Sequence, residues 1–214
     1  MIAASNLAKL HNVCEGLYNE RVDDVPFHGW HHVEFVASKA ALFARELGAD
    51  EALAVAAAYT HDLNYLVGKG KLDAASGSDL RRQVLRSVGI TEEIIDRIEV
   101  IVREGETGTR NAGISPEAQA LSDADTLFKA LPITPVVLAP RFMEETGYGL
   151  RRLAEKITSE QVPLRDQEIY FYSQSAREKY GEWGDVNLRL WQQIVSSLDD
   201  PDIVGILAYL GVKI

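Results

Sequence analysis

Apolar residues recur along this chain at intervals of three and four, the period of a helix with one buried face, and no stretch alternates as a half-buried strand would. The first such pattern spans residues 4–19, with Leu7, Leu10, Val13 and Leu17 on one stripe. After a loop containing Asp23, Asp24 and Pro26, a second pattern covers about 31–47 and closes at Gly48. Asp50 is placed to cap a third, about 51–65, which is alanine-rich and apolar up to His61-Asp62. Residues 68–73 read as a loop. Ser78 or Asp79 opens a helix that Gly89 ends, and Thr91 precedes another carrying Ile94, Ile95, Ile98, Ile101 and Val102. Ser115-Pro116 starts the helix that holds Asp123 and Asp125, with proline at its favoured first position. Further helical patterns lie near 136–146, 149–161, 165–197 and 201–210, with Pro140 expected to interrupt the first and Gly181–Gly184 the long third. The periodicity predicts an all-α bundle of about eight to ten helices.

Nothing Pro/Gly/Ser-rich divides the 214 residues, so one domain over 1–214 is expected, with residues 131–214 as a helical C-terminal extension. The formal net charge of −10 argues against a nucleic-acid surface, which needs clustered Lys and Arg, but leaves room for one small phosphorylated ligand. No apolar run approaches the roughly 20 residues of a membrane span. Met1–Asn6 lacks the basic start of a secretory signal, and Cys14 is the only cysteine, so a cytoplasmic protein without disulfides is expected.

The candidate chemistry lies in the histidines. There are five: His11, His28, His31, His32 and His61. Three cluster in Phe27-His28-Gly29-Trp30-His31-His32, His61 is followed by Asp62, and Asp123-Ala124-Asp125 lies downstream. The order His, His-Asp, Asp, each within a helical pattern, reads as one divalent-metal site assembled from three helices. A lone His-Asp pair at a helix end is more often a cap or ion pair. It is the ordered constellation that points to metal. Imidazoles with carboxylates suit a borderline or hard ion, and cysteine pairs for a structural zinc site are absent. The ion is expected to be single and divalent, one of Mn, Fe, Ni, Co, Zn or Mg.

In that order, His32, His61-Asp62 and Asp125 resemble the HD superfamily of metal-dependent phosphohydrolases over roughly residues 20–130. The resemblance implies an HD-type helical bundle whose metal ligands are His32, His61, Asp62 and Asp125. Asp125 is preferred to Asp123 because Ala-Asp-x-Leu matches best at 124–127; Asp123, on a different face, is expected to hydrogen-bond nearby. The resemblance further implies a small phosphorylated metabolite or nucleotide as substrate, attacked by metal-activated water. The catalytic set is then His28, Asp62 and Asp123. In the cyclic-nucleotide phosphodiesterase branch, a histidine four before the ligand donates the leaving-group proton, which assigns His28 as general acid and leaves His31 pointing elsewhere. A loop histidine with a satisfied hydrogen bond is the equal alternative.

Two departures bear on the reading. The usual Ile-Gly-Lys after His-Asp is replaced by Leu63-Asn64-Tyr65, so phosphate contacts must come from elsewhere. Lys69, Lys71, Arg81, Arg82 and Lys129 are candidates, with a solvated surface charge favoured for each. No histidine follows His61, which disfavours a two-iron oxygenase and favours one ion. A non-catalytic HD-fold protein binding a nucleotide or partner is the leading rival, and a metal-dependent lyase or oxygenase the third reading. Phe27 and Trp30 are expected to bury, either being able to wall a pocket. The aromatic segment 165–197 is expected to pack as core, with a pocket cap or a homodimer face as the alternatives.

Overall fold

The computed structural model describes residues 1–68 and 74–214, and among them every regular element is helical. Eleven α-helices follow one another: α1 (Ala4–Asn19), α2 (Trp30–Leu47), α3 (Glu51–Thr60), α4 (Asn64–Val67), α5 (Ser78–Ser87), α6 (Glu92–Gly105), α7 (Pro116–Ala130), α8 (Ala139–Thr146), α9 (Leu150–Asp166), α10 (Gln174–Ser197) and α11 (Pro201–Tyr209). The all-α expectation holds.

The centre is built from α2, α3 and α7, which pack on one another. Helix α2 buries Val33, Val36, Ala37, Ala40, Phe43 and Ala44, a stripe with helical spacing, and Gly48 ends it at φ +67°, a left-handed conformation that glycine adopts without strain. Helix α3 has no polar face. Leu53, Ala54, Ala56, Ala57 and Ala58 are all buried, and the small alanines let its neighbours approach closely. The side chain of Asp50 accepts from the Ala52 and Leu53 N–H groups, the cap that the sequence suggested. Helix α7 is also buried nearly all round, and the Ser115 hydroxyl caps it by accepting from Ala118. Helices α1 and α6 cover α3.

Several boundaries differ from the sequence reading. Helix α1 turns Leu10, Cys14 and Tyr18 inward, whereas Val13 is exposed. Helix α3 stops at Thr60 rather than continuing to 65, so that His61, Asp62 and Leu63 form a turn before α4. Pro140 does not break a helix: it lies in the first turn of α8, where no N–H donor is required, after a π-helical turn at Thr134–Leu138. The long pattern 165–197 is two segments. Residues 168–173 are irregular, and α10 begins at Gln174 and runs unbroken past Gly181 and Gly184. Gly184 is there for packing, since a Cβ on it would come within 2.5 Å of the Tyr170 ring.

Helices α8, α9 and α10 carry a second apolar cluster: Phe142, Leu153, Ala154 and Trp191 meet Phe27 and Phe128 of the central layer. Of the aromatic segment, Tyr170, Phe171, Tyr180 and Trp191 are buried as core, while Trp183 is 37% exposed.

Candidate metal centre

The end of α3 is held by charge. Its last carbonyls have no partners within the helix, and Arg81, buried on α5, supplies them. The guanidinium donates to Thr60 O at 3.2 Å, His61 O at 3.5 Å and Ala74 O at 2.8 Å, and forks onto Glu99 at 2.9 and 3.0 Å. Arg81, a candidate phosphate contact in the sequence, is therefore a buried brace. Arg82 is committed at the surface to Glu92 and Asp96. Lys69 and Lys71 lie outside the described residues.

The turn so held aims His61 and Asp62 at the first turn of α2, where His32 is fully buried. The His32 and His61 Nε2 atoms are 3.2 Å apart, and Asp62 Oδ2 lies 3.0 Å from the first and 3.1 Å from the second. His61 Nδ1 sits 2.8 Å from Ala58 O, which fixes the proton there and leaves Nε2 with its lone pair facing the cluster. Among the described residues, these three side chains are the group whose ligand atoms all fall within 4.8 Å of one another. Two imidazole nitrogens and a carboxylate oxygen converging on one point suit a cation, and the donor set fits a divalent ion. The local charges agree. Burial raises the Asp62 carboxyl, but His61 and His32 outweigh it and hold it well below its usual range. Burial depresses His32; at His61 the same effect is overcome by Asp62, so its imidazole is raised.

Asp125 stands at the edge of this cluster. One oxygen is 3.8 Å from His32 Nε2. The other is 2.6 Å from Lys129 Nζ and 3.5 Å from a buried Arg110 nitrogen. Although burial works against it, Lys129, His32, His61 and Arg110 bring this carboxyl down to about 2. Asp123, two residues earlier, faces away: its oxygens accept from the Tyr172 and Ser173 N–H groups, both at 2.7 Å, and tie the irregular 168–173 segment to α7. Burial pushes it up to about 6 in spite of those hydrogen bonds.

His28 lies beside the cluster with its surroundings fixed on two sides. Its Nδ1 is 2.5 Å from Glu145 Oε1, and its ring stacks on Tyr65 at 3.5 Å between centroids. Glu145 Oε2 also accepts from the Phe27 and His28 N–H groups at 2.9 and 3.1 Å. Burial opposes ionisation of Glu145, but His28 and these amides prevail and keep its carboxyl low. Glu145 was not legible as a site residue. It is 117 positions away on an amphipathic helix, and no motif marks it. His31 is exposed. The His11 ring packs edge-on against Trp30 and Tyr59.

A cavity of about 230 Å³ opens over these groups. His28, His61, Asp62, Asp125 and Lys129 line it from the central layer, and Phe142, Leu153, Ile157, Leu188 and Trp191 from α8, α9 and α10. Phe27 walls it; Trp30 stacks on Tyr59 outside it.

Comparison with known proteins agrees with this architecture. Residues 29–129 match the HD domain. The structure resembles a crystal structure of a Lactobacillus plantarum protein at 17% identity and TM-score 0.69, covering 93% of this chain and 99% of that one. It also resembles Bacillus subtilis YpgQ in complex with ADP, at 22% identity and TM-score 0.61, covering 92% and 98%. A selenomethionine form of YpgQ gives 24% identity and TM-score 0.60, covering 92% and 99%. At these identities the likeness shows the fold. No curated protein matches the sequence. HD domains form a superfamily of metal-dependent phosphohydrolases, and the stretch of this chain that matches the HD domain, residues 29–129, contains His32, His61 and Asp62, which could hold a metal ion.

Proposed function

We propose that the protein is a phosphohydrolase using one divalent ion and acting on a small phosphorylated metabolite or nucleotide. The observation that carries this reading is the convergence of His32, His61 and Asp62, the last two of which line a cavity that Lys129 and Lys156 also reach. His32, His61, Asp62 and Asp125 would hold the ion. A bound divalent ion lowers the pKa of water toward neutrality and draws charge off phosphoryl oxygens. The chain's own groups do the rest. His28 lines the cavity with Nδ1 committed to Glu145, and its other ring nitrogen is the one that would give a proton to the leaving oxygen. The apolar wall of Phe142, Leu153, Ile157, Leu188 and Trp191 excludes water and takes the non-phosphate end of the substrate. Asp123 acts at a distance, by anchoring the 168–173 segment.

YpgQ was crystallised with ADP, and a nucleotide is within the substrate class proposed here. No helix among the described residues is long and apolar enough to cross a membrane; a cytoplasmic location, a homodimer and the lack of a nucleic-acid surface belong to the same proposal. The test is phosphate release from a panel of phosphomonoesters and nucleotides by protein loaded with Mn²⁺, Co²⁺, Ni²⁺ or Mg²⁺. Turnover that vanishes with chelator and returns with metal supports the reading. Tight metal binding with no release from any compound would favour a non-catalytic binding protein.

A further inference from the structure

The lysine that often follows His-Asp in this superfamily is replaced here, and among the described residues Lys129 is a cation that stands beside the site. Lys129 lies one turn beyond Asp125 on α7, so both side chains leave the same face. Its ammonium is 2.6 Å from Asp125 Oδ2 and 3.5 Å from Thr107 Oγ1, and all three residues line the cavity. Lys156 reaches the cavity from the opposite wall, paired with Glu160 at 2.5 Å.

We infer that Lys129 is the phosphate-contacting cation of the site and that its ammonium and the divalent ion compete for the Asp125 carboxylate. This rests on the phosphohydrolase reading. An ion that takes Asp125 places two positive centres against one carboxylate, and they repel. A phosphoryl group between them removes the conflict, because its oxygens accept from the ammonium on one side and from the ion on the other. Asp125 does not lose its support when Lys129 turns away. The Arg110 Nη2 atom is buried, has no hydrogen-bond partner, and lies 3.5 Å from the same carboxylate oxygen. The guanidinium is otherwise fixed by Gly105 O and the Thr126 hydroxyl, so it stays in place to hold the aspartate.

This arrangement makes two effects of one substitution opposite in sign. In Lys129→Met the aliphatic stem remains and the charge goes. The variant therefore loses a competitor for the ion, while Arg110 still stands 3.5 Å from the carboxylate. Calorimetric titration of chelator-stripped protein should show Mn²⁺ binding tighter, by about tenfold for one charged hydrogen bond removed. The same variant, loaded with Mn²⁺, should bind inorganic phosphate about tenfold more weakly than the wild type. Lys129→Arg should retain phosphate binding. A weaker affinity for both ligands would make Lys129 a structural cation and overturn the inference. So would unchanged phosphate binding, or a wild type that binds neither Mn²⁺ nor phosphate. The opposite-signed pair in a protein that releases phosphate from no ester would uphold the inference and sink the hydrolase reading instead.

Discussion

Replacing Arg81 by methionine should destabilise the protein severely while leaving the substrate cavity chemically intact. The side chain is 1% exposed. It serves three main-chain carbonyls, at Thr60, His61 and Ala74, together with both oxygens of Glu99. Methionine fills most of the volume but donates nothing, so Glu99, only 15% exposed, keeps a charge without a counterion and the end of α3 loses its partners. Breaking a buried pair by removing one member costs about 3–5 kcal/mol. That is a large share of the 5–15 kcal/mol available to a domain. For a chain of this size, 1 kcal/mol corresponds to about 2–4 °C, so thermal unfolding followed by circular dichroism should show a drop of roughly 10 °C. Adding Glu99→Met should restore part of the loss, because the stranded charge disappears. A fall below about 1 kcal/mol would refute the brace, as would a normal melting temperature combined with a raised KM, which would mark Arg81 as a phosphate contact.

Other expectations follow from the same geometry. His61→Ala should lose metal and activity together by elemental analysis and assay, whereas His28→Ala should keep the ion and lose about 10²–10⁴-fold in kcat. Glu145→Gln removes the charge that orients His28 and should lower kcat with metal content unchanged; an unaltered pH–rate profile would show that Glu145 serves only the loop. Asp123 is raised to about 6 in the folded protein, above its unfolded value near 3.9. Its contribution is therefore fully present below pH 4 and is lost as the pH rises through 6. The stability of wild type relative to Asp123→Asn should fall between pH 4 and pH 7 in urea titrations, and a flat difference would contradict the assignment.

How far the sequence exposed all this depended on the range of the interaction. Local rules sufficed for Asp50 and Ser115 as caps, for Gly48 as a terminus, and for the buried stripe of α2. The His-Asp turn was visible as a motif, but its boundary was misplaced, because no proline or glycine marks a stop between the alanine run and Tyr65. Where α3 ends, Arg81 reaches over from α5 to the Thr60 and His61 carbonyls, a contact that periodicity in α3 does not register. Gly184 looked like a helix breaker because its partner, Tyr170, lies in another segment. Lys129 and Asp125 were each visible, and their spacing of four fits a pair; that the pair borders the cavity depended on α9 and α10. The Glu145–His28 contact joins residues 117 apart, which no local pattern encodes.

The central claim is that one ion is held by His32, His61, Asp62 and Asp125. Anomalous diffraction from crystals soaked in Mn²⁺ tests it most directly. The expected result is a single peak per chain in contact with both Nε2 atoms and with the carboxylates of Asp62 and Asp125. No peak at that position, or two peaks about 3.5–4 Å apart as in two-metal sites, would contradict it.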